Sequence, residues 1–160
     1  MKEVICFHNP DEENGYLSNW YPASFHKDGV KFSTTEQYMM YEKARLFGDD
    51  KMMEKILKEN QPSKIKAYGR KVQHYDDAVW IKNRRQIVLD GNLAKFSQHP
   101  ELKGKLLASG DAILAECAVR DTIWGIGLSM KSPDRFHPDR WKGKNLLGEI
   151  LMEVRSQLAS

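Results

Sequence analysis

The chain has 160 residues, of which 41% are hydrophobic and 29% are charged, and its formal net charge is +3. This length and balance are typical of a globular protein with its own core, so we expect one domain over residues 1–160, and the small, dispersed charge argues against wrapping of nucleic acid. Two cysteines without C-x-x-C spacing exclude a disulfide scaffold and a zinc site, and the lack of a signal-peptide pattern or a membrane-length apolar run predicts a cytoplasmic protein with no membrane partner.

The first half of the chain predicts one strand, one hairpin and three helices. Asp28-Gly29 separates two short alternating segments, which is a strong hairpin signal. Gly48 is positioned to end the first helix. The expected ranges are 3–8 for the strand, 23–33 for the hairpin, 34–47 and 49–60 for the first two helices, and 62 to about 69 for the third.

The second half predicts two helices, a strand, a turn-rich segment and a final helix. Gly91 inside the first of these helices costs about 1 kcal/mol relative to alanine, so we expect a neighbour to pack closely there. Asp76 or Asp77 is expected to cap that helix, and Asn145 the last one. The expected ranges are 75–98, 99–109, 111–118, 119–144 and 145–158. The fold class is therefore α+β: a mostly helical single domain with a few short, mainly antiparallel strands.

Two charged residues lie within the apolar stripe of the first helix. At about 100° per residue, Glu36 and Lys43 point within ~20° of each other, although charged groups are seldom buried unless paired or employed. Glu36 completes a capping box if Ser33 is the N-cap, but Thr34 and Gln37 fit the same template one residue later. Lys43 either extends its amine to water or stays partly dry, with a lowered pKa suited to a nucleophile or proton donor.

A second group of candidates lies in the turn-rich segment RDTIWGIGL. Asp121 is suited to accept hydrogen bonds from sugar hydroxyls, Trp124 to stack on a flat ring, and Gly125 to let the backbone approach a ligand. The alternative is a tight turn around a buried tryptophan. Trp80 is likewise a core anchor or a stacking surface, with Arg84 one turn further on. The start of the final helix is a further candidate phosphate site.

Seven segments together resemble the NADAR/YbiA-like family: YLSNWYP, FSTTEQYMMYEKA, YGRKV, Trp80 with LAKFSQHPELKGKLLASG, ILAEC, RDTIWGIGL and WKGKNLLGEILMEVRSQL. They occur in order and cover nearly the whole chain. Two positions depart from the family pattern: Trp20 stands where phenylalanine is expected, and Gln37 stands where many members have histidine. The first departure is expected to alter the wall that contacts the base.

The resemblance implies N-glycosidase activity that requires no metal or other cofactor. YbiA-like enzymes cleave the C–N bond between ribose 5-phosphate and the pyrimidine of early riboflavin-pathway intermediates, so the implied partner is a phosphorylated ribosyl-pyrimidine. Other members remove ADP-ribose from modified guanine bases, and under that alternative the partners are ADP-ribose derivatives and nucleic acid. A non-enzymatic module that binds ADP-ribose or NAD is the third hypothesis.

The resemblance and the chemistry of the residues together suggest roles; Arg70 and Arg84 enter from the chemistry alone, as cations suited to bind a phosphate. The expected catalytic residues are Glu36, Asp121 and Lys43. The expected substrate-binding residues are Asn19, Trp20, Trp80, Trp124, Gly125, Arg70 and Arg84. Cleavage of a glycosidic C–N bond passes through a state that is positive at the anomeric carbon, and a fixed carboxylate stabilises that charge and directs a water. In an alternative mechanism, Lys43 attacks the opened sugar to form a Schiff base.

Overall fold

The structure, a computed structural model, describes residues 2–160. Over that range the chain forms six α-helices, four short strands and three 3₁₀ turns. The strands are Val4–Phe7 (β1), Phe25–Lys27 (β2), Val30–Phe32 (β3) and Ile113–Glu116 (β4). The helices are Thr35–Leu46 (α1), Asp50–Leu57 (α2), Pro62–Gly69 (α3), Asp77–Gln98 (α4), Pro100–Ala108 (α5) and Leu146–Leu158 (α6). None of these helices is long and apolar enough to cross a bilayer.

The predicted α+β, mostly helical class is confirmed, and the strands form two small sheets. The hairpin β2–β3 is antiparallel, as expected, and its turn residues Asp28 and Gly29 both have positive φ, at 52° and 80°. The other sheet pairs β1 with β4 in parallel, from Val4 opposite Ile113 to Phe7 opposite Glu116. Parallel pairing requires a long connection, so no local sequence pattern indicated it.

Contacts divide the chain into two compact units. The hairpin unit is Pro22–Gln98 and contains β2, β3 and α1 to α4. The strand-pair unit joins the segment that ends at Tyr21 to His99–Ser160, and it contains β1, β4, α5 and α6. The expectation of one domain over the whole chain stays a prediction.

In the hairpin unit, α1 packs against α2, α3 and α4. An aromatic cluster of Phe25, Phe32 and Tyr38 joins α1 to the hairpin, and the Phe32 and Tyr38 rings meet edge-on at 5.0 Å. Gly91 of α4 lies under the same tyrosine, because a Cβ at this glycine would be 2.7 Å from the ring of Tyr38. The predicted close packing at Gly91 is confirmed. Tyr38 lies on the opposite side of α1 from Glu36, so the helix is buried on more than one face.

In the strand-pair unit, the side chain of Asn145 forms hydrogen bonds with the backbone of β4, as a neighbouring strand would. Its Oδ1 accepts a hydrogen bond from the Glu116 backbone N–H at 3.0 Å, and its Nδ2 donates to the Leu114 carbonyl at 2.8 Å. Asn145 is the N-cap residue of α6, as predicted, but its side chain makes no hydrogen bond that caps the helix. The reason is burial: the backbone polar groups of β4 lose water and need partners.

Candidate active site

The predicted site residues divide equally between the two units. Glu36, Lys43, Arg70, Trp80 and Arg84 lie in the hairpin unit. Asn19, Trp20, Asp121, Trp124 and Gly125 lie in the strand-pair unit.

The start of α1 is capped by Thr34 and Gln37. The Thr34 hydroxyl accepts from the Gln37 backbone N–H at 3.1 Å, and the Gln37 Oε1 accepts from the Ser33 backbone N–H at 2.7 Å. Of the two templates, the one with Thr34 as N-cap is therefore correct. Glu36 occupies the second helical position, where the helix dipole favours a carboxylate, and it is only 5% exposed.

The side-chain amide of Gln37 also connects α1 to α2 through hydrogen bonds. Its Nε2 donates to the carbonyls of Ile56, Leu57 and Glu59, at 3.1, 3.3 and 2.9 Å. These carbonyls lie at and beyond the end of α2, where a helix leaves acceptors unpaired. The departure from the family pattern at Gln37 therefore has a structural role.

Lys43 lies two turns along α1 from Glu36, and its amine is close to two aromatic rings. Its Nζ is 4.7 Å from the ring centroid of Tyr75 and 5.4 Å from that of Trp80. Burial lowers the pKa of Lys43 below its ordinary value, the nearby Glu36 carboxylate acts to raise it, and the Arg70 guanidinium lowers it further. The structure therefore brings Glu36, Lys43, Arg70 and Trp80 into one electrostatic neighbourhood.

The two arginines differ in exposure. Arg70 is exposed and directly follows α3, whereas Arg84 is half-buried on α4, one turn beyond Trp80. The Arg84 charge acts on the phenol of Tyr75, which places it in the same neighbourhood. Trp80 itself is 7% exposed, so it serves as a core anchor as well as a wall beside Lys43. The predicted capping of α4 by Asp76 is confirmed, because its Oδ1 accepts from the Ala78 N–H at 3.0 Å.

In the strand-pair unit, Asp121 organises the turn that follows it. Its Oδ1 accepts from the backbone N–H groups of Ile123 and Trp124, at 3.0 and 2.9 Å. Gly125 is required by packing, because a Cβ there would be 2.9 Å from both the Glu116 carbonyl oxygen and the Ala118 Cβ. The tight-turn interpretation of this segment therefore has direct support, and a contact of these residues with a ligand stays a prediction.

The backbone N–H groups at the start of α6 are hydrogen-bonded to the same turn. The N–H groups of Leu146 and Leu147 donate to the carbonyls of Ile123 and Trp124, each at 3.1 Å. Because these first-turn donors already have backbone partners, the expectation of a phosphate at this helix N-terminus is wrong. The sequence could not show this, since the partners lie more than twenty residues earlier in the chain.

Asn19 and Trp20 lie after a short 3₁₀ turn, Gly15–Leu17. Asn19 is buried and Trp20 is half-buried, and the Trp20 backbone N–H donates to the Ser18 hydroxyl at 3.1 Å. Sequence reasoning missed Tyr75 beside Lys43 and the fully buried Lys95 of α4. The only sign in the sequence that Lys95 is buried was that its neighbours on either side are uncharged. No local pattern in the sequence pointed to Tyr75.

A groove of 510 Å³ lies elsewhere in the hairpin unit. None of the ten predicted residues lines it, and its walls come from the start of α2, Lys55 and residues 71, 73 and 74. Among residues 2–160, no group of three or more histidine, cysteine or acidic side chains is placed to hold a metal ion.

Comparison with known proteins defines the class of this chain. The NADAR domain family model matches residues 6–159. An N-glycosidase of Acanthamoeba polyphaga mimivirus is 37% identical over 97% of this chain and 96% of its own length. The N-glycosidase YbiA of Escherichia coli is 33% identical over 98% of this chain and 89% of its own length. A riboflavin biosynthesis protein of Vibrio vulnificus is 32% identical over 99% of this chain and 39% of its own length.

The fold agrees with that class. The NMR structure of E. coli YbiA superposes with a TM-score of 0.81 and 32% sequence identity, covering 99% of this chain and 86% of that one. The chain therefore belongs to the NADAR domain family. Its relatives include proteins named N-glycosidases, and the predicted enzyme class, an N-glycosyl hydrolase, is confirmed at that level.

Proposed function

We propose that this protein hydrolyses the C–N bond between ribose 5-phosphate and the pyrimidine of early riboflavin-pathway intermediates, in the cytoplasm. The observation that carries the proposal is the buried Glu36 carboxylate at the start of α1, which is not the capping residue and lies near Lys43. The names of the YbiA and Vibrio relatives support the reaction type and the pathway.

The proposed reaction places the developing positive charge against Glu36. As the C1′–N bond breaks, its electron pair leaves with the pyrimidine nitrogen, and C1′ becomes electron-poor. The Glu36 carboxylate stabilises that carbon and takes a proton from the attacking water, whose oxygen bonds to C1′. The departing nitrogen takes up a proton from solvent, and the proton accepted by Glu36 returns to solvent, so only water is consumed overall. The catalytic role of Asp121 stays a prediction. A preorganised charge of this kind is commonly worth about 3 kcal/mol of barrier.

The cations of the neighbourhood suit a phosphorylated sugar. We assign phosphate binding to Lys43, Arg70 and Arg84, because arginine and lysine form strong, charge-assisted hydrogen bonds to phosphate oxygens. Trp80 offers an aromatic surface on the same side of α4 as Arg84. The remaining predicted substrate contacts are Asn19, Trp20, Trp124 and Gly125.

Lys43 supports a second mechanism for the same reaction. Its amine is half-buried and its pKa lies below the ordinary value, so more of it is neutral near pH 7 than for an exposed lysine. In the ring-opened glycoside, C1′ is joined to the pyrimidine nitrogen as an imine, and the neutral amine of Lys43 attacks this C1′. The C1′–N bond to the pyrimidine then breaks, the pyrimidine leaves as an amine, and a Schiff base between Lys43 and C1′ remains. Water hydrolyses this Schiff base to release ribose 5-phosphate and free Lys43. Trapping with borohydride distinguishes the two mechanisms, because only the second leaves ribose phosphate attached to Lys43.

A substrate panel tests the proposal. The purified protein is incubated, without added metal, with the ribosylated pyrimidine phosphates of the riboflavin pathway, with ADP-ribosylated guanosine and with NAD, and sugar release is measured. Release of ribose 5-phosphate from the pyrimidine substrates alone supports the proposal. Release of ADP-ribose from guanosine alone would assign the protein to the guanine-specific alternative, and no release with measurable binding would indicate a binding module.

A further inference from the structure

Tyr75 is the closest aromatic neighbour of Lys43 and lies outside all the predicted site residues. It stands between α3 and α4, two residues before α4 begins. Its ring centroid is 4.7 Å from the Lys43 Nζ, and the ring of Trp80 is 5.4 Å from the same atom. The ring of Phe47, just after α1, meets Tyr75 edge-on at 5.3 Å.

The position of Tyr75 is held from two directions. Its hydroxyl donates to Asp77 Oδ1 at 2.7 Å, which ties the ring to the first residue of α4. The preceding residue, His74, has a φ of 62°, so the chain turns sharply just before the ring. Tyr75 is 43% exposed, so part of its side chain faces solvent. Its partial burial, followed by the hydrogen bond to Asp77, raises the pKa of Tyr75 to about 12, and the phenol stays protonated and donating at neutral pH.

We propose that Tyr75 is a positioning residue that holds the Lys43 side chain against Trp80 and keeps its amine away from water. This inference rests on the proposed role of Lys43 in the reaction. The charged groups that act on Lys43 are Glu36 on its own helix and Arg70 after α3. Arg84 of α4 and the Asp77 carboxylate act on the phenol of Tyr75.

Two effects of the ring on Lys43 oppose each other. The π-face of Tyr75 favours the charged amine by about 0.5–1 kcal/mol at a partly exposed site. Exclusion of water disfavours the charged amine, by as much as 3–5 pH units for full burial. Burial has the largest influence on the pKa of Lys43, followed by the charges of Glu36 and Arg70. Because the ring centroid lies only 4.7 Å from the amine, we infer that its shielding from water outweighs its attraction for the charge. Removing the ring should therefore raise the pKa of Lys43.

The test is an NMR titration of Lys43 in the full chain without substrate. The Lys43 signal is assigned by its loss in Lys43→Arg, and its pKa is compared between the wild type, Tyr75→Ala and Tyr75→Phe. We expect Tyr75→Ala to raise the pKa by about one pH unit, because one wall of a half-buried amine is removed. Tyr75→Phe keeps the ring and should leave the pKa near the wild-type value.

A matched control is available at Lys55. Its Nζ lies 4.6 Å from the ring of Tyr68, a similar contact in the same unit, so Tyr68→Ala should leave the pKa of Lys43 unchanged. An unchanged or lowered Lys43 pKa in Tyr75→Ala would overturn the positioning role. Because the titration contains no substrate, it can fail or succeed whether or not the substrate panel shows hydrolysis.

Discussion

Replacement of Gln37 by alanine should destabilise the protein more than an ordinary polar substitution. Gln37 is 2% exposed, and its Oε1 accepts from both the backbone N–H and the hydroxyl of Ser33. Its Nε2 has two protons for three nearby carbonyls near the end of α2, so the amide makes about four hydrogen bonds worth about 0.5–1 kcal/mol each. One buried methylene adds about 0.8 kcal/mol.

The expected loss is therefore about 3–5 kcal/mol of the free energy of unfolding, from the sum of these terms. Urea unfolding followed by circular dichroism measures it, and at about 2 kcal/mol per molar urea the midpoint falls by about 2 M. The matched control is Gln61→Ala, because Gln61 is exposed and makes no side-chain cap bond, so it should change stability by less than about 0.5 kcal/mol. If Gln37→Ala lowers the free energy of unfolding by less than about 1 kcal/mol, the proposed stabilising role of the hydrogen bonds from Gln37 to α2 is refuted.

Three further outcomes follow from the packing and burial described above. Gly125→Ala should cost about 1–3 kcal/mol because its Cβ meets backbone at 2.9 Å, whereas Gly104→Ala, with nothing within 4 Å in α5, should stabilise by about 0.5–1 kcal/mol. Thermal unfolding compares the two, and equal effects would contradict the close packing at Gly125. Asn145→Ala should destabilise by about 2–3 kcal/mol, because two backbone groups of β4 lose their partners; a change within 0.5 kcal/mol would contradict that role. Burial lowers the pKa of Lys95 to about 7 from 10.5, so the unfolded chain binds more protons between those values, and wild-type stability should rise with pH relative to Lys95→Met. A parallel pH dependence of the two proteins would contradict this.

Local signals in the sequence were sufficient for most of the helices. The turn at Asp28-Gly29, the cap at Asp76 and the packing at Gly91 each depend on residues close in sequence or on a steric rule for one residue. Two other features depend on contacts between residues more than twenty-five positions apart in the sequence. They are the parallel pairing of β1 with β4 and the hydrogen bonds from the Asn145 side chain to the backbone of β4. The hydrophobic periodicity of a sequence does not indicate contacts of this kind.

In the candidate site, too, local features could be predicted from the sequence and long-range contacts could not. The sequence indicated that Glu36 and Lys43 share a face of α1, and it left open which residues cap the helix. Only the hydrogen bonds of Gln37 resolved that question. Tyr75 was missed because its approach to Lys43 depends on how α4 packs on α1, which a helical pattern in either segment does not specify.

The most direct measurement is the turnover of Glu36→Gln on the ribosylated pyrimidine phosphate that the wild type cleaves fastest. The substitution keeps the shape of a buried side chain and removes its charge, and the cap made by Thr34 and Gln37 remains, so urea unfolding should be nearly unchanged. We expect kcat to fall by about 10²–10³-fold. A folded Glu36→Gln protein that turns over as fast as the wild type would contradict the assignment of Glu36 to the reaction.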